Sequence, residues 1–197
     1  MKRKIVVGIT GASGAPYARE LLAYLHDRAR SREDVEIGVC VSSTAPEVWR
    51  LECGGDLREG CPFPIRAARD YGAPYASGSA GWDAMAIVPC SMSTCAKVAH
   101  GISDTLLTRA ADVMLKERRT LVVVPRETPL SLVHLENLTA LARAGTVVLP
   151  ASPAFYGGPA TVDDLVRTVV ARVLDHLGLA DHDLVRRWGD RPATEAR

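Results

Sequence analysis

Two kinds of apolar run alternate along this chain. Short runs at residues 5–9, 35–41, 85–88, 121–124 and 146–149 end at Gly, Ser or Pro. Their length and their content of Val and Ile predict strands; Leu121 to Val124, apolar throughout, suits a strand covered on both faces. Between them, apolar residues recur at helical spacing. The predicted helices cover about 15–28, where Leu21, Leu22 and Leu25 share a face, then a segment opened by Ser42-Ser43-Thr44 and Pro46, then 94–100, 105–116, 130–144 and 162–177. From 53 to 81 neither period holds, and loop with short extended pieces is expected. Strands alternating with helices predict a parallel sheet. The right-handed crossover rule makes it a three-layer, doubly wound α/β domain of the flavodoxin or Rossmann kind. One domain is expected over 1–180, followed by a charged tail over 181–197 that is polar except around Trp188 and is expected to pack at a subunit interface.

Composition narrows the function. A chain of 197 residues with 47% hydrophobic and 24% charged residues is an ordinary globular one. A net charge of +1, with only three Trp, five Tyr and two Phe, gives neither the basic face nor the aromatic platforms of a nucleic-acid binder. No apolar run reaches the ~18 residues that span a bilayer, and the short run after Met1-Lys2-Arg3-Lys4 reads as a first strand rather than a signal peptide. Five cysteines, an odd number, point to a reducing, cytoplasmic compartment. Without a CxxC pair, or an Asp-rich motif for magnesium, no metal site is expected.

The chemistry collects where strands end, which in open α/β sheets is where ligands bind. The first strand runs into Gly8-Ile9-Thr10-Gly11-Ala12-Ser13-Gly14, a turn that lets backbone N–H groups approach a phosphate or a flavin edge, or equally serves as a helix cap with packing glycines. Its spacing is not G-x-G-x-x-G. The second strand ends in Ser42-Ser43 instead of the acid that holds a nicotinamide ribose, which suits a mononucleotide such as FMN better. Ser91, Met92, Ser93 and Thr94 place three hydroxyls at a helix start, for capping or for a phosphate. The fourth strand ends in Pro125-Arg126-Glu127-Thr128-Pro129, with Lys116-Glu117-Arg118-Arg119 before it. Pro125 is expected to stop the ladder, leaving an anion clamp beside a proton donor. Lys116, Arg126, Glu127, Tyr156 and Arg172 are candidates to converge; Arg172, among apolar neighbours in V-V-A-R-V-L, needs an anionic partner or a route to water.

Ordered blocks along nearly the whole chain resemble the flavin prenyltransferases of the UbiX type. They are G-I-T-G-A-S-G-A, S-G-S at 77–79, P-C-S-M-S-T at 89–94, R-A-A-D-V-M-L-K-E-R-R at 109–119, V-P-R-E-T-P-L at 124–130, H-L-E-N at 134–137, P-A-F-Y at 153–156 and V-A-R-V-L at 170–174. The chain departs from the family at Ser43, where Lys is usual, and at Thr44 and Pro46; residues 53–64 have no close counterpart. The resemblance implies bound FMN, dimethylallyl phosphate as co-substrate, and transfer of the dimethylallyl group to N5 and then C6 of reduced FMN without a metal. The product, prenylated FMN, serves a UbiD-type decarboxylase. A homododecamer with sites at subunit interfaces is also implied. Gly11, Ala12, Ser13, Ser42, Arg126 and residues 91–94 then match flavin-contacting positions. Lys116, Tyr156 and Arg172 match those around the prenyl phosphate, Glu127 and Glu52 match carboxylates near the reacting centre, and Trp188 matches a tail tryptophan that covers the site. Glu127 is the first candidate to carry the proton lost from C6, assisted by Ser13 or the departing phosphate. The alternative is a non-catalytic, flavin-binding accessory subunit of a hydroxyaryl-acid decarboxylase, whose branch the P-C-S-M and H-L-E-N blocks most resemble. A cysteine decarboxylase of this fold group would carry P-x-M-N-x-x-M-W, which is absent here, and a nicotinamide enzyme would want the missing acid.

Overall fold

A computed structural model describes residues 2–189. Six strands form one all-parallel sheet: β1 (Arg3–Ile9), β2 (Val35–Val41), β3 (Ile65–Arg66), β4 (Ala84–Cys90), β5 (Thr120–Pro125) and β6 (Val147–Val148). Their order is β3-β2-β1-β4-β5-β6, the doubly wound arrangement whose strand order reverses between β1 and β4 and opens a crevice there. Among the described residues six α-helices lie between the strands, α1 (Ala15–Ser31), α2 (Ala45–Cys53), α3 (Leu57–Gly60), α4 (Met92–Ala99), α5 (Leu106–Lys116) and α6 (Leu132–Arg143), and α7 (Val162–His176) follows β6.

The period of two on each central strand divides the core. Ile5, Val7 and Ile9 of β1, Ala84, Ala86 and Val88 of β4, and Val122 and Val124 of β5 pack with Leu21, Leu22 and Leu25 of α1 and with Val170 and Leu174 of α7. The residues between them, Val6, Met85, Ile87, Leu121 and Val123, pack on the other face with Leu107 and Met114 of α5 and Cys95 of α4. Each such Val, Ile or Leu, fully enclosed, contributes roughly 1.5–3 kcal/mol of burial, so the centre of the sheet is the rigid platform from which the strand ends project.

Several boundaries differ from expectation for local reasons. β3 lies in the stretch that showed no period: two residues at the sheet edge, with Ile65 only half-buried, leave no pattern to read. α1 runs three residues past Arg28, which is buried and held by Asp34 at 2.6 Å and Asp181 at 2.7 Å. α4 begins earlier than expected because Ser91 itself caps it, accepting from Thr94 N at 3.3 Å. Pro125 does not stop the ladder. It is the last residue of β5, and its carbonyl accepts from Ala151 N at 3.1 Å. Of the tail, residues 181–189 pack against α1 and α7 of their own chain, through Asp181 on Arg28 and Arg187 on Asp175; residues 190–197 lie outside the described residues. No described helix is long and apolar enough to cross a membrane.

Candidate functional site

The carboxyl ends of β1, β2, β4 and β5 are knitted to one another by short polar contacts. Thr10, fully buried, accepts from Ser91 N at 2.8 Å and donates its hydroxyl to Pro89 O at 2.8 Å, joining the β1 loop to the β4 loop. Arg126 N donates to Cys90 O at 3.3 Å, which holds the β5 exit against the same loop. Ser42 N donates to Ile9 O at 2.9 Å, and the Ser42 and Thr44 hydroxyls lie 3.2 Å apart. Gly11 sits so close to Thr44 that a Cβ there would lie 2.1 Å from Thr44 Oγ1 and 2.6 Å from its Cβ. The smallness of Gly11 therefore serves loop-to-loop packing as well as any ligand.

The start of α1 is not left open for an anion. Gly14, in the left-handed region at φ 119°, and Ala15 both donate their N–H to Glu52 Oε2 at 2.8 Å. This carboxylate from α2 supplies the acceptor that four orphan N–H groups of a helix start require. Burial pushes the Glu52 carboxyl up, but hydrogen bonds from the Ser13 hydroxyl and from Gly14 and Ala15, with the charge of Arg126, outweigh it and hold the group below the ordinary range. Ser13, Glu52 and Arg126 thus form one electrostatic unit at the β1/β4 switch point. Tyr17, half-buried one turn into α1, belongs to it: burial raises its phenol and the Arg126 charge opposes the shift. Sequence reasoning missed Tyr17 and Thr10; the only signals were an aromatic at the second turn position and a Thr where a strand ends. Ser91, Ser93 and Thr94 supply the remaining hydroxyls, with Ser91 Oγ 3.1 Å from Ser93 Oγ and 3.0 Å from Thr94 Oγ1. Ala12 and Met92 are buried beneath the loops, so their share in a site is their backbone. Glu127 is exposed beside Arg126, and its Oε1 accepts from Thr128 N at 2.9 Å.

Other expected members lie elsewhere in the chain, and the five candidates do not converge within one subunit. Lys116 ends α5, before β5 begins, whereas Arg126 follows β5; five steps of a strand separate these edges by roughly 17 Å. There Lys116 pairs with Glu117, Arg119 reaches Glu117 at 3.7 Å, and Arg119 Nη2 donates to Gly78 O at 2.8 Å. The Ser77-Gly78-Ser79 turn is thereby attached to this amino-edge cluster. Tyr156, Arg172 and Trp188 line a third place, a 760 Å³ cavity between α7, the loop before it and the tail. Trp188 meets Tyr156 edge to face, centroids 5.3 Å apart, and Arg172 Nη1 donates to Asp175 Oδ2 at 2.5 Å. The carboxylate partner expected for Arg172 is thus Asp175.

The hydroxyls and backbone groups gathered at the switch point, with Arg126 beside them, fit a flavin mononucleotide by their donor chemistry. It has no carboxylate placed after β2 for a nicotinamide ribose, since Ser42 and Ser43 stand there. The comparisons agree. The Flavoprotein family model matches residues 1–174. The flavin prenyltransferase UbiX of Thermoplasma acidophilum is 46% identical over 192 residues, covering 94% of this chain and 99% of its own. AnUbiX (PadA1), solved with FMN and dimethylallyl pyrophosphate, superposes with a TM-score of 0.87 at 39% identity, covering 98% of this chain and all of that one. A dodecameric FMN-dependent UbiX-like decarboxylase from Escherichia coli O157:H7 superposes with a TM-score of 0.86 at 45% identity, over 95% of this chain and all of the other. With the Flavoprotein model matching residues 1–174 and a UbiX 46% identical over nearly its whole length, this chain belongs to the UbiX-type flavin prenyltransferase family.

Proposed function

We propose that this chain joins the dimethylallyl group of dimethylallyl phosphate to N5 and C6 of reduced FMN, and that the prenylated FMN passes to a UbiD-type decarboxylase. The observation that carries the reading is the Ser13–Glu52–Arg126 unit at the β1/β4 crevice, in a chain 39% identical to a relative that holds FMN beside a dimethylallyl ester. FMN, when bound, supplies the nucleophilic positions N5 and C6 and an aromatic face. The residues do the rest. The backbone of 11–13, the hydroxyls of Ser13, Ser42, Ser91, Ser93 and Thr94, and Arg126 hold the flavin and orient it. Glu52 keeps Ser13 and the α1 start fixed. Lys116, Tyr156 and Arg172 stabilise the phosphate as it leaves, because charge-assisted hydrogen bonds aimed at a developing anion are the strong kind. Trp188 keeps water from the allylic centre, and Glu127 shuttles the proton: the second bond needs one delivered to the prenyl double bond, which makes its far carbon electrophilic, and one removed from C6.

The separation of Lys116 from Arg126 within one chain supports a site completed by neighbouring subunits, and we extend the reading to a homododecamer, as in the Escherichia coli relative. Five thiols, none in a disulfide, fit a cytoplasmic protein. The test is an anaerobic incubation with reduced FMN and either dimethylallyl phosphate or dimethylallyl pyrophosphate, read by the mass of the flavin. Addition of the five-carbon group from the monophosphate is the expected result; unmodified FMN with both esters refutes the reading. A second reading, a flavin-binding accessory subunit, is favoured only by the decarboxylase description of the Escherichia coli relative. It predicts co-purification with a large decarboxylase chain and no adduct.

A further inference from the structure

The carboxylate of Asp175 sits behind the α7 cavity and gathers groups from two segments. Its side chain is 12% exposed. Arg172, one turn earlier on α7, donates to Oδ2 at 2.5 Å. Arg187 of the tail donates to both oxygens, at 2.9 Å and 3.3 Å, and also to Ala180 O at 2.8 Å. His182 Nε2 lies 3.1 Å from Asp175 Oδ1 and 3.1 Å from Ala171 O. The same nitrogen lies 3.3 Å from Arg187 Nη2, so the imidazole stands between the tail arginine and the acid. The His182 ring is fully buried and meets Tyr24 of α1 edge to face at 6.3 Å. Asp181 ties residues 180–187 to α1 through Arg28 and Arg32, Asp175 ties the same segment to α7, and the next residue, Trp188, lands on Tyr156. Among the cavity's lining are three arginines, 172, 186 and 187, against two acids, Asp164 and Asp175, a surplus of cation that suits a phosphate.

We propose that Asp175 is a positioning residue for prenyl-phosphate binding: it fixes the guanidinium of Arg172 and latches the tail, through Arg187 and His182, so that Trp188 covers the cavity beside Tyr156. This rests on the prenyltransferase reading for its substrate, but the latch itself does not. Removing Asp175's charge takes away the carboxylate that fixes Arg172 and one of the contacts by which Arg187 holds the tail in register; the cost falls on phosphate binding. Asp175 touches neither the flavin loops nor Glu127 in the structure.

The test uses the full-length assembled protein with Asp175→Asn, Asp175→Glu and Arg187→Ala. In Asp175→Asn, KM for dimethylallyl phosphate is expected to rise about tenfold, as for one lost charge-assisted contact, with FMN affinity unchanged. Asp175→Glu, which restores the charge, is expected to recover most of the loss. Chymotryptic cleavage after Trp188, followed by mass, is expected to accelerate about fivefold or more in Asp175→Asn and in Arg187→Ala as the tail opens more often. Arg187 is 42% exposed in its side chain, so its removal leaves no buried hole should Asp175→Asn fail to fold. A KM and a cleavage rate both unchanged in Arg187→Ala and Asp175→Asn overturn the proposal. If the wild-type protein forms no prenyl adduct, the functional reading fails while the cleavage comparison still decides whether the latch exists.

Discussion

The two edges of the sheet carry similar parts put to different uses. At the carboxyl edge a glycine-serine turn, 11–14, lies beside Arg126, and the carboxylate of Glu52 is spent on backbone N–H groups of α1. At the amino edge a glycine-serine turn, 77–79, lies beside Lys116 and Arg119, and the carboxylate of Glu117 is spent on those two cations. The first edge gathers backbone and hydroxyl groups with Arg126, whose charge acts on Glu52. The second is a cluster of paired charges. On the proposed function each edge of one chain carries half of a phosphate-handling flavin site, and the halves meet only if the edge of one subunit faces the opposite edge of another, as the heterologous contacts of a ring-like assembly allow.

The largest separation of the two edges is expected in catalysis. Glu127→Gln, at the carboxyl edge, should leave FMN binding intact and lower turnover by about 10²–10⁴-fold, the range for loss of a positioned acid/base group. Flavin titration and single-turnover product formation would check both halves. Lys116→Ala, at the amino edge, should lower turnover through the phosphate, by about tenfold to a hundredfold, with no change in the FMN affinity of the crevice. A large loss of FMN binding in Lys116→Ala would erase the distinction between the edges.

The glycines sharpen the comparison in stability. A Cβ at Gly11 would meet the Cβ and backbone of Thr44, so Gly11→Ala should cost about 1–3 kcal/mol in chemical denaturation and weaken FMN binding. Thr44→Gly in the same chain should recover part of it. A Cβ at Gly78 would instead meet the end of the Glu117 side chain, 2.0 Å from Oε1. That side chain can swing away, so Gly78→Ala should cost less than about 1 kcal/mol. Equal costs at the two glycines would mean that the carboxyl-edge turn is no more tightly packed than the other.

The smallest difference lies in acid titration. Glu52 is held below its ordinary range by Ser13, Gly14, Ala15 and Arg126 acting against its burial. A carboxylate depressed in the folded state stabilises above its unfolded value, ~4.3, and the contribution is lost as pH falls through the lower folded one. Glu52→Gln should therefore cost about 0.5 kcal/mol at neutral pH, the worth of an acid at a helix start, and the gap to wild type should close below pH ~4. The tail behaves alike: Asp181, brought down to about 2 by its hydrogen bond to Arg28 and by Arg32, should hold residues 181–187 on α1 until the pH falls well below 4, a loosening visible in Trp188 fluorescence.

Much of this was legible in the sequence. Five short, mainly apolar runs at strand spacing predict β1, β2, β4, β5 and β6, and hydroxyls after β2 and β4 mark the flavin edge. Where reading failed, the contact was either short or distant in sequence. β3 has two residues, too few for a period. The hydrogen bonds of Glu52 to residues 14 and 15 span 38 and 37 positions, and Arg187 reaches Asp175 around a turn of the chain. Proximity along the sequence suggested that Lys116 and Arg126 share a clamp, because ten residues look close in a list. A parallel strand between them carries them to opposite edges instead.

The split of the site is best tested by subunit mixing. Lys116→Ala and Glu127→Gln proteins, each strongly impaired alone, would be dissociated, combined in equal amounts, reassembled, and assayed for the five-carbon adduct of FMN. If one subunit supplies Glu127 and a neighbour supplies Lys116, random reassembly leaves roughly a quarter of the sites with both groups intact, and activity returns to about that share of wild type. A mixture as inactive as its two components would place both residues in the same subunit's site and contradict the account.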